Sequence, residues 1–191
     1  ETKFKSKLTT LALAVIGTLT ACGGGGGSPA LTAANRPVAG TVSGLGSIVV
    51  NGVRYETIGA SVVDADDSTT ISSPLGMGMT VSIEPLSTSA TTAGTIYVQT
   101  GIQGIASSVD SVAKTLNVAG LPVITDSATF VVTSAGLAGS FADLTGNMNV
   151  EVYGLPQTDG TFKATRIEIK TTAQPVQLVG TVSSLNTTNS T

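Results

Sequence analysis

The chain has 191 residues, a formal net charge of −3, no histidine and one cysteine, with 11% charged and 4% aromatic residues. An acidic surface offers no Lys and Arg footprint for phosphates, so nucleic acid is not an expected partner. Lacking histidine, and with Cys22 as the lone thiol, the chain has neither the usual general base nor the residues of a thiol-ligated zinc site, so neither enzymatic activity nor a cofactor is expected.

In chain order, Lys3, Lys5 and Lys7 precede the apolar run Leu8–Leu19, LTTLALAVIGTL. A basic start followed by a short apolar stretch and small residues reads as a secretory signal peptide over residues 1–21. The run is well short of the roughly 20 residues that a spanning helix needs. Leu19, Thr20, Ala21 and Cys22 resemble the bacterial lipobox, which implies cleavage before Cys22 and lipid on its sulfur and new amino terminus. A free or intermolecularly paired thiol is the competing reading, but the five glycines after Cys22 surround it with no apolar pocket. Residues 22–36 then read as lipidated cysteine and flexible Gly-rich linker. The expected location is the cell envelope, with lipid on Cys22 holding the chain to a membrane. Gly23 after the cysteine, by resemblance to sorted lipoproteins, implies the outer membrane in a diderm bacterium.

From Val38 the chain repeats itself. VAGTVSGL begins at Val38, IQGIASSVD at Ile102 and LVGTVSSLN at Leu178, with Gly40, Gly104 and Gly180 equivalent. A hairpin follows in the first two units, turning at Asn51-Gly52 and Ala119-Gly120. Later come GMTVSIEPL and GNMNVEVYGL, where Val81 and Ile83 match Val150 and Val152 in period-2 alternation. GTIYVQT and ATRIEIKT close the two units. The expected fold is all-β: tandem small antiparallel β-barrels, OB-like in general shape, preceded by a signal-peptide helix and the linker. The expected segments are residues 37–101 and 102–173 as two barrel repeats and 174–191 as the truncated start of a third, the chain being part of a longer protein. Ser134–Leu144 and Asp64–Leu75 are expected as loops holding at most one helical turn.

The order Gly-x-Val/Ile-x-Ser, strand, turn, strand, Gly-x-x-Val-x-Val and DGTFKATRIEI (Asp159–Ile169) resembles the bacterial domain of unknown function numbered 5666. The resemblance covers two copies from Pro37 to Thr171 and is closer in the second, since the first has TTAGTIYVQT where the last motif falls. It implies a small barrel in exported proteins and lipoproteins, and brings no catalytic residue and no ligand.

Three stretches carry chemistry worth weighing. Asp64, Asp66 and Asp67 are a Ca²⁺ candidate, although the EF-hand pattern fails at Thr69 and Leu75, and an Asx turn competes. Tyr97 and Tyr153 are candidates for a sugar-stacking shelf, against half-buried barrel residues. Ser111 and Lys114 match Ser-x-x-Lys in a turn, where that motif should open a helix. The function expected from all this is a lipid-anchored envelope protein with a structural or binding role, its further partner an envelope glycan or protein. The alternatives are a carbohydrate- or peptide-binding module, and the non-catalytic stalk of an enzyme whose active domain lies outside this sequence.

Overall fold

The computed structural model describes residues 36–180. The expected signal peptide, Leu19, Thr20, Ala21, Cys22, nearly all of the expected linker and the last residues of the expected third repeat lie outside them. The described residues form an all-β fold with a single turn of 3-10 helix at Phe141–Asp143. That turn falls inside the Ser134–Leu144 loop, as expected, and a polar loop follows Asp64.

The first sheet comprises β1 (Val38–Gly44), β2 (Ile48–Val50), β3 (Val53–Tyr55), β4 (Ser61–Asp64), β5 (Thr80–Leu86) and β6 (Ser89–Val98), in the order β3-β2-β1-β5-β6-β4. The second comprises β7 (Ile102–Asp110), β8 (Thr115–Val118), β9 (Leu121–Ile124), β10 (Phe130–Val132), β11 (Ala138–Gly139), β12 (Asn149–Pro156), β13 (Phe162–Lys170) and β14 (Gln177–Leu178). Its order, β9-β8-β7-β12-β13-β10, is that of the first sheet, with β11 added beyond β10 and β14 on the free side of β7. Each hairpin turns through two residues of positive φ, 51° and 77° at Asn51-Gly52, and 52° and 84° at Ala119-Gly120. That matches the right-handed twist of the flanking strands.

The expected all-β barrel is present, and its closure adds a parallel pairing to the antiparallel ladders. β9 runs parallel to β13, pairing Val123 with Phe162 and Ile124 with Lys163, so that β7, β8, β9, β13 and β12 form a closed 5-strand barrel. A ring with an odd number of strands cannot alternate direction all the way round, so one seam must be parallel. In the first sheet the corresponding seam is a single parallel bridge, Glu56 to Thr92. There Glu56 N–H donates to Thr91 O and Ala93 N–H to Glu56 O, both at 2.9 Å.

The alternation seen in the sequence fills the interiors. Val42, Val50, Val81, Ile83, Ile96 and Val98 belong to one core, and Ile102, Val118, Val123, Val150, Val152, Phe162 and Ile167 to the other. Each such side chain contributes about 1.5–3 kcal/mol on full burial. Tyr153 leaves the second sheet to pack in the first core. Gly101, on the connection between β6 and β7, lies against the Phe162 ring with no room for a Cβ.

Candidate functional site: a charged cleft where the sheets meet

β12 and β13 turn one face to their own core and the other to the first sheet. Because side chains alternate along a strand, Glu151 and Tyr153 share the outer face of β12, while Arg166, Glu168 and Lys170 share that of β13. The ladder sets Glu151 opposite Glu168 and Tyr153 opposite Arg166. Two carboxylates directly opposite would repel, and the cations answer them. Lys170 Nζ reaches Glu151 Oε2 at 2.5 Å and Glu168 Oε2 at 2.7 Å, and Arg166 Nε reaches Glu168 Oε1 at 2.6 Å.

Glu151 is 8% exposed, and its Oε1 accepts from Thr100 Oγ1 at 2.5 Å and from the Tyr153 hydroxyl at 2.9 Å. Burial alone would raise its pKa. The bonds from Lys170 and Thr100 outweigh it and hold the carboxyl below its ordinary range. Lys170 is the converse: burial would lower it, and its bonds to Glu151 and Glu168 leave it raised. Tyr153 is pushed up, by burial first and then by the charges of Glu151 and Glu168.

The same face grips the first sheet. Arg166 Nη1 donates to Met77 O at 3.0 Å, and Thr165 Oγ1 donates to Gly78 O at 2.6 Å. Gly78, at φ 85°, sits so close that a Cβ would stand 2.5 Å from Thr165 O. Between the two faces lies a cleft of about 440 Å³, bounded by the charges on one side and by Ile71, Leu75, Met79 and Val98 on the other. It combines an apolar wall with convergent polar groups, as small-molecule sites do. Glu151 and Glu168 are each already held by a cation.

Of the residues singled out from sequence, Asp64 and Tyr153 reach the cleft, while Tyr97, Ser111 and Lys114 do not line it. Asp64 lines the cleft, yet Asp64 Oδ1 accepts Asp66 N–H at 2.8 Å and Asp67 Oδ1 accepts Thr69 N–H at 2.9 Å, the geometry of successive Asx turns. No group of three potential metal ligands is assembled among the described residues. Tyr153 is 3% exposed and offers no face for stacking, which corrects the shelf reading for that residue. Tyr97 is half-buried on β6, its hydroxyl donating to Glu84 Oε2 at 3.2 Å. Ser111 and Lys114 lie in the β7–β8 turn, where Asp110 Oδ1 accepts the N–H groups of Val112 and Ala113 at 2.8 and 2.9 Å. Sequence reasoning missed Glu151, Arg166, Glu168 and Lys170. The signal was there: Arg-x-Glu-x-Lys on one strand and a Glu on its neighbour, in a chain with only 11% charge.

No curated protein and no solved structure matches the chain. The family model for a domain of unknown function, DUF5666, matches residues 103–168, which run from β7 into β13. The closed barrel that carries one wall of the cleft therefore resembles this family.

Proposed function

We propose that the chain is a lipid-anchored envelope protein whose two sheets are tandem copies of one barrel module, joined as a stiff spacer above the membrane. The observation that carries this reading is the bonded junction. Arg166 and Thr165 tie β13 to the Met77–Gly78 backbone, while Tyr153 enters the first core. A flexible pair of domains would need none of these contacts. Cys22 and the glycines that follow would supply the anchor and its tether.

Two experiments test the parts separately. Cys22→Ala should abolish incorporation of labelled fatty acid and leave the precursor uncleaved; cleavage without lipid defeats the anchor. Spin labels at Ile58 and Val112, which are 90% and 91% exposed, should give one narrow distance distribution, and a broad one defeats the stiff spacer. The cleft favours a second reading, a glycan-binding module. Calorimetric titration with cell-wall glycan fragments should then show heat that Glu168→Gln removes, and no heat for the unsubstituted protein discards it.

A further inference from the structure

Along a β-strand, successive residues direct their backbone polar groups to opposite sides. In β1, Val42 faces β5: its N–H donates to Met79 O at 2.9 Å and its C=O accepts Gly78 N–H at 2.8 Å. Ala39 and Thr41 therefore face the other way, and there Ala39 O accepts the Asn51 Nδ2 amide at 2.9 Å. β2 takes this side of β1 from Val42 onward, and among the described residues no strand pairs with it at Ala39. A groove of about 520 Å³ runs beside it, lined by Ala39, Thr41, Asn51, Thr80, Gln99 and Leu155 among others, none of them charged. Leu155 is 56% exposed. Thr80 is 8% exposed, and its Oγ1 is buried with no hydrogen-bond partner among the described residues.

The second sheet shows what such an edge takes. Gly40 pairs with Val81 as Gly104 pairs with Val150, so Gln103 is the counterpart of Ala39. The outward edge at Gln103 is occupied: β14 lies antiparallel on it, with Gln177 opposite Gln103 and Leu178 opposite Ile102. The counterpart of Asn51 is Ala119, with the same backbone (φ 52° against 51°) but no amide to lay over the edge. One edge has a side-chain cover and no strand; the other has a strand and no cover.

We propose that the outer edge of β1 is a docking site for an extended, uncharged peptide segment of a partner protein, with Asn51 as its displaceable cover. The segment pairs antiparallel to β1, as β14 does on β7, once the Asn51 amide swings aside. Backbone pairing at Ala39 provides affinity, and Leu155 seats an aliphatic side chain. The uncharged groove disfavours Lys, Arg, Asp and Glu in the segment, since none would find a partner there. The site owes nothing to Cys22 and stands whether or not the chain is anchored.

The test uses the whole chain and a synthetic peptide of the β14 sequence, QPVQLVG, with blocked ends. Binding should shift the Ala39 amide resonance and slow its hydrogen exchange. Asn51→Ala should bind about tenfold more tightly, because the competing amide is gone. The peptide N-methylated at its second Gln and last Val, the residues whose counterparts face β7, should not bind. The N-methylated comparison uses the unsubstituted protein and so holds even where Asn51→Ala folds poorly. The proposal fails with no binding, with shifts confined to Ile102 and Gln103, with a folded Asn51→Ala that binds no more tightly, or with equal binding of the N-methylated peptide.

Discussion

At the scale of single residues, the cleft depends on Lys170. It separates two carboxylates that the ladder places opposite one another. Lys170→Met should leave Glu151 without a cation opposite Glu168 and cost about 2–3 kcal/mol, read from the denaturant midpoint at neutral pH. Because the Glu151 carboxyl titrates below its ordinary 4.5 in the fold, its contribution is complete above that value and is lost as pH falls through the lower, folded one. Glu151→Gln should therefore flatten the loss of stability in acid. Lys170, raised above 10.5, contributes below that value and loses its contribution only as pH rises through its folded one. Ala119, at φ 52°, carries the cost of a left-handed backbone, so Ala119→Gly should stabilise by about 0.5–1 kcal/mol. The Arg-x-Glu-x-Lys pattern is visible in the sequence, but its burial against a second sheet is not. Alternating charges on a strand read the same whether water or a second sheet covers them.

At the scale of elements, the strands and their turns were legible, because alternation and positive-φ turn residues are local signals. Val81-x-Ile83 and Val150-x-Val152 point at the two cores as the pattern says. The parallel seams were not, since β9 meets β13 across a long stretch of chain and parallel pairing leaves no short-range mark. Nor was the junction, which rests on close approach. Gly78→Ala would drive a Cβ into Thr165 O and force φ 85° on a residue that resists it. It should cost about 2 kcal/mol or more and expose the Gln99–Gly101 connection to protease, seen as a new cleavage product.

At the scale of the whole molecule, the two sheets share an order and differ at the seam. One is closed by paired residues at Val123–Phe162 and Ile124–Lys163, the other by the lone Glu56–Thr92 bridge. Joining distant segments has an entropic cost that grows slowly with the length of chain between them. The hairpins should accordingly zip first during folding and each seam last. Two hydrogen bonds are little to hold the first seam against thermal opening. In native-state hydrogen exchange, the amides of Glu56 and Ala93 should trade protons through a local breathing of the first sheet. Those facing the second seam should wait for global unfolding. The first sheet can thus gape at its seam while its core and junction stay shut.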